Sequence, residues 1–164
     1  MLKAVICLSG LDTEEFLGLV LSRLLPQQTE LELLYVVDTR PAEELGYTRR
    51  PHLFSAGTHG GRQHRMEEAD LEVAQQVLEE SRQFCVQSGW QQEAVRREVR
   101  RGRPEREIVV YADEIRADLI VIGVRYKGGP VATTRGPASI GPVARYVIDH
   151  SACDLLVIKG AYSS

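Results

Sequence analysis

Cysteine is scarce: Cys7, Cys85 and Cys153 are the whole supply in 164 residues, far apart and odd in number. They form no CxxC and fit no zinc spacing, which excludes a disulfide framework and leaves reduced, partly buried thiols. An excess of either charge is missing too. Lys plus Arg is 20 and Asp plus Glu is 23, for a net charge of −3. Bulk polyanion binding rests on many cationic contacts to phosphate, so nucleic acid is not an expected partner. No apolar run approaches the ~18 residues of a membrane helix. The opening MLKAVICLSGLDTEE lacks the long apolar stretch and small-residue cleavage site of a signal peptide, because Asp12, Glu14 and Glu15 follow at once. A cytoplasmic protein without a membrane partner is the expectation. No period of 20–50 residues repeats, which excludes a solenoid. What remains is a chain 43% apolar and 26% charged, enough to bury a core as one domain over 1–164.

Strand and helix signals alternate along it. KAVICLS, residues 3–9, is a short apolar run without helical period and reads as a buried strand. Asp12 with Glu15 three residues on marks a helix start, and Phe16, Leu19, Val20, Arg23 and Leu24 follow at helical spacing up to Pro26. ELELLYVVD, residues 30–38, predicts a second strand. RMEEADLEVAQQVLEESRQFCVQSG predicts a long helix with Met66, Ala69, Val73, Val77 and Phe84 near one face and Gly89 as its stop. QEAVRREV, residues 92–99, reads as a third strand. Pro104 starts a helix in GRPEREIVVYADEIRA. DLIVIGV is the strongest strand signal, Pro142 opens the helix PVARYVIDHS, and CDLLVIKG ends the series. Continuously apolar strands separated by helices imply a parallel α/β sheet covered on both faces. In such sheets ligands sit beyond the carboxyl ends of the strands, where strand order reverses. The loops leaving the first and fourth strands, at Ser9-Gly10 and across 123–141, are where a site is expected.

The last third of the chain carries a family resemblance. ADLIVIGVRYKGG, followed by GPVARYVIDHSACDLLVIKG, resembles the C-terminal half of the universal stress protein domain. The strand ending Val36-Val37-Asp38, the segment GRPEREIVVYADEIRADLIVIG and the Ala152-Cys153 turn before LLVIK also match in order. The resemblance spans the chain except for residues 39–64. It implies a doubly wound five-stranded parallel sheet of order 3-2-1-4-5 with helices on both faces. It also implies a stress-response binding protein rather than an enzyme, and a homodimer paired through the last strand.

ATP-binding members of that family use Gly-x2-Gly-x9-Gly-(Ser/Thr). Glycines let backbone N–H groups close on phosphate, and the helix start adds positive potential and a hydroxyl. Here the expected carboxylate at the end of the first strand is Ser9. The first glycine is Gly123 and the second position is Tyr126. The closing pair is either Gly136-Pro137, which keeps the spacing, or Gly141-Pro142, which needs a five-residue insertion. The second is preferred, because proline suits a first helical turn and would break a helix running through it. By this resemblance Ser9, Gly10, Val37, Gly123, Arg125, Tyr126, Gly141, Pro142 and Val143 line a degenerate nucleotide pocket. Thr133, Thr134, Arg135 and Ser139 of the inserted loop are substitute phosphate contacts. ATP, with Mg²⁺ if a triphosphate is bound, is the implied cofactor. The alternative is a dimeric interaction module that binds no nucleotide.

Three further features have simpler accounts. Ser9-Gly10-Leu11-Asp12-Thr13 faintly resembles the pyrophosphate loop of the ATP pyrophosphatases, which makes an enzyme of that type a minor alternative; Asp12 as a helix cap is the simpler account. Residues 39–64, with Pro41, Pro51, four glycines and His52, His59 and His64, read as a long irregular loop; the histidines lack any metal-ligand spacing. The run VRREVRRGRPER has no interleaved aromatic residue and is diluted by glutamates, so a solvated edge strand accounts for it. No nucleophile–base constellation is readable, so no catalytic residue is assigned.

Overall fold

The computed structural model describes residues 1–9, 13–40, 59–125 and 141–160. Its strands are β1 Lys3–Leu8, β2 Glu30–Asp38, β3 Val95–Gly102, β4 Leu119–Arg125 and β5 Asp154–Gly160. Its helices are α1 Thr13–Leu19, α2 His59–Gln87, α3 Pro104–Glu114 and α4 Pro142–His150. The sheet order is β3-β2-β1-β4-β5, and every pairing is parallel, as the resemblance implies. β1 is central, with Ile6 beside Leu33 of β2 and Val121 of β4. Val5 and Ile6 are both fully buried, because each face of the sheet is covered.

Two cores sit on the two faces. Leu17, Val20 and Leu21 of the first helical segment and Leu78 and Cys85 of α2 pack on Ile6, Leu31, Leu33 and Val121. On the other face Ile108, Tyr111 and Ala112 of α3 and Ala144 and Val147 of α4 cover Val5, Leu34, Ile120 and Ile122. Each such aliphatic side chain contributes about 1.5–3 kcal/mol when fully buried.

Several boundaries and faces differ from the sequence reading. β1 stops at Leu8, so Ser9 lies beyond it and is exposed. The first helix buries Phe16, Leu17, Val20 and Leu21, while Leu24 is 42% exposed. FLGLVLSRLL is apolar nearly all round, so its period does not single out a face. The segment also widens over Val20–Leu24, where the Leu25 N–H donates to the Val20 carbonyl at 3.0 Å. α2 begins at His59 and so takes up His59 and His64, which the sequence placed in the irregular stretch; His52 lies outside the described residues. Its inward stripe is Ala74, Leu78, Ser81 and Cys85, with Val73 turned to solvent. Ser81 tolerates burial because its Oγ donates to the Val77 carbonyl at 2.6 Å. β3 lies three residues later than expected, since Gln92–Ala94 form a 3-10 turn.

β2 holds a feature the alternation in ELELL conceals. Glu32 points into the α3 face and is 3% exposed. Its carboxylate accepts the Tyr111 hydroxyl at 3.0 Å and faces Arg96 at 3.4 Å. The Arg100 guanidinium lies 4.9 Å from the centre of the Tyr111 ring. Burial, reinforced by the Glu32 charge, pushes the Tyr111 phenol well above its usual range.

Candidate functional site at the switch point

Strand order reverses at β1, which has β2 on one side and β4 on the other. The carboxyl ends of these strands and the start of α4 therefore define the expected crevice. Ser9 follows β1 at this end, and Val37 is buried just before the end of β2. Gly123 lies in β4 one residue beyond Ile122, the last to pair with β1, and Arg125 closes the strand opposite Gly160. Gly10, Tyr126, Thr133, Thr134, Arg135 and Ser139 lie outside the described residues, as do Asp12 and the Gly136-Pro137 pair.

Gly141 and Pro142 start α4, the placement preferred on helix-start grounds. Gly141 has φ +84°, a conformation that L side chains rarely adopt. A Cβ there would meet no described atom within 4 Å. Pro142 occupies the first turn and lacks an N–H. The Val143 and Ala144 N–H groups have no helical acceptor, because the first turn of any α-helix lacks one. No acidic side chain stands in that turn. The start of α3 is different, with Glu105 and Glu107 there. Backbone donors and positive helix potential suit a phosphate group.

Beside this crevice the sequence reading missed an ion-pair group. Arg40 hydrogen-bonds both carboxylate oxygens of Asp38 at 2.6–3.1 Å, and its backbone N–H donates to the same carboxylate at 3.0 Å. Its other guanidinium nitrogen lies 3.7 Å from Glu105 at the start of α3. The hydrogen bond from Arg40 holds the Asp38 carboxyl below its usual range, with Arg103 adding to the effect. The signal was an Asp at a strand end with an Arg two residues on, but its reach to Glu105 is set only by the fold. Asp38 and Glu105 are both turned to Arg40, which fits them poorly as Mg²⁺ ligands. Among the described residues no group of three His, Cys, Asp or Glu side chains gathers as metal ligands.

The thiols do not supply a nucleophile. All three are free, and burial raises each above its usual value, Cys85 to about 12. They stay protonated at neutral pH. No described helix is long and apolar enough to cross a membrane.

Comparison with known proteins agrees with this architecture. Hypothetical protein MJ0577 is 21% identical with TM-score 0.69, over 99% of this chain and 98% of its own. A universal stress protein family protein from Arabidopsis thaliana, solved with AMP bound, is 14% identical with TM-score 0.61, over 98% and 94% of the two chains. The universal stress protein from Archaeoglobus fulgidus, in complex with dAMP, is 18% identical with TM-score 0.53, over 97% and 98%. No curated protein matches. The model of the universal stress protein family matches residues 12–159, nearly the whole chain, and with the sheet order and the α4 start in place the chain belongs to that family.

Proposed function

We propose that this chain is a cytoplasmic binding and regulatory protein of the stress response that holds an adenine nucleotide at the switch point and works as a homodimer through β5. The observation that carries the nucleotide reading is the start of α4. A glycine at φ +84° and a first turn free of acidic side chains stand at the carboxyl edge next to β4. The phosphate would accept from the Val143 and Ala144 N–H groups, with Gly123 letting it lie close to β4 and Val37 walling the base side. Related structures solved with AMP and dAMP support an adenine nucleotide. Arg125, Tyr126 and the Thr133, Thr134, Arg135 and Ser139 loop complete the proposed pocket. Mg²⁺ would come with a bound triphosphate, through its phosphate oxygens.

A second reading is an interaction module that binds no nucleotide. It is favoured by Ser9 standing where a carboxylate is expected and by Pro142, which removes one N–H donor. Calorimetric titration of nucleotide-free protein with AMP, ATP and ATP–Mg²⁺ separates the two. The nucleotide reading predicts a Kd in the micromolar range, about −8 kcal/mol. No heat, confirmed by no retention in equilibrium dialysis, establishes the second reading instead.

A further inference from the structure

We infer that the cleft between α1 and α2 is a second ligand site, one that takes a short aliphatic diamine as its dication. The cleft has a volume of about 210 Å³. Thr13, Glu14 and Leu17 of α1 form one wall, and Val77, Glu80 and Ser81 of α2 form the other. It lies against the core that α1 and α2 build on one face of the sheet, whereas α4 covers the opposite face. Occupancy here therefore does not depend on the nucleotide reading.

The lining selects a cation. Elsewhere on α2, Glu67 pairs with Arg101 and Glu79 with Arg97. In the cleft the carboxylates are not neutralised, since no cationic side chain is among its described lining residues. Glu14 is exposed and has no hydrogen bond or ion pair among the described residues. Glu80 accepts only the neutral side-chain amide of Gln76, at 2.9 Å. A carboxylate offers about four acceptor positions, so most of its capacity is left. Ser81 is 2% exposed, and its hydroxyl hydrogen is committed to the Val77 carbonyl at 2.6 Å. Toward the cleft its oxygen can only accept. An anion would meet two carboxylates here, whereas a donor-only ligand meets acceptors on both walls.

The floor selects an organic cation over a metal ion. Leu17 is fully buried and Val77 half-buried, so both walls also present apolar surface. A hard metal ion takes oxygen ligands on several sides and gains nothing from such a floor. An alkyl chain does gain, because apolar surface leaves water. An ammonium group on an alkyl stem lays the stem on apolar surface and keeps its charge at the rim. At about 30 Å³ per water-sized group the cleft holds about seven such groups. A four-carbon diamine is of that size, and its two ends match carboxylates that stand on separate helices.

The test is a titration of the full chain with 1,4-diaminobutane at constant ionic strength, followed by amide ¹H–¹⁵N spectra. Saturable shifts are expected at Thr13, Glu14, Val77, Glu80 and Ser81, with a Kd between about 0.1 and 1 mM. Glu14→Gln and Glu80→Gln should each weaken binding about fivefold, the effect of removing one exposed ion pair. Both residues are exposed, so the changes leave the core intact. Mg²⁺, of equal charge, should bind at least about tenfold more weakly, because it draws nothing from the floor. No saturation by about 10 mM diamine, a Kd unchanged in both variants, or Mg²⁺ binding as tightly overturns the site. Tighter binding of N-acetyl-lysinamide than of the diamine overturns the free diamine as ligand, in favour of a lysine from another protein.

Discussion

Along β3 the outer strand reads VRREVRRG, and along β5 it reads DLLVIKG. On β3 Arg96 faces Glu32, Arg97 pairs with Glu79, Arg100 with Glu98 and Glu114, and Arg101 with Glu67. That edge is occupied by its own charge network, which resists pairing with another strand. On β5 the charges are confined to Asp154 and Lys159, and the middle is apolar. Among the described residues one edge of the sheet is thus charged and the other apolar.

The largest effect expected on this contrast is in the anchor beneath β3. Glu32→Ala leaves the Tyr111 hydroxyl without its acceptor in a buried site and should cost about 2–4 kcal/mol in urea unfolding. A loss below about 0.5 kcal/mol would mean the network does not hold this side. Next, Val157→Asp puts a carboxylate in the apolar middle of β5, the strand through which the homodimer is proposed to pair. The dimer constant should weaken about 30-fold in sedimentation equilibrium, roughly 2 kcal/mol. An unchanged constant would move the contact off β5.

The converse change opens the charged edge. Arg97→Val with Arg101→Val strips exposed charge from β3, where each exposed ion pair contributes at most about 1 kcal/mol. Concentration-dependent association beyond the dimer is expected by light scattering, with near-normal stability. Its absence would mean that charge does not guard β3. The smallest effect concerns Asp38, whose pair with Arg40 lies beside the end of β3. Because Arg40 lowers its pKa, this contribution is whole above the unfolded value of 3.8 and is lost as pH falls through the lower folded value. The pair is about a third exposed, so Asp38→Asn should cost below about 1 kcal/mol at pH 7 and less as the pH is lowered below 3.8. A cost that does not change with pH would assign the effect to packing.

The strand order and the element sequence were legible because apolar strands such as LIVIGV and ELLYVV alternate with capped helices, and because separated segments matched one family in order. The helix start at Pro142 followed from proline chemistry alone. Faces were harder: Leu17 and Leu21 turn inward instead of Leu24 because neighbouring stripes of FLGLVLSRLL are equally apolar. The Glu32–Tyr111 pair joins residues 79 positions apart, and Arg40 reaches Glu105 across a strand and a helix, so no local pattern contains either. The site was legible as a layout of strand ends and glycines, while its electrostatics required the fold.

The central claim is that ligand binding belongs to the switch point and not to the arginine-rich edge. Amide ¹H–¹⁵N spectra recorded through a titration with AMP read both regions at once. The account predicts the largest shifts at Ser9, Gly123, Val143 and Ala144, with residues 96–101 unmoved. Shifts concentrated on residues 96–101, or none anywhere at millimolar AMP, would contradict it.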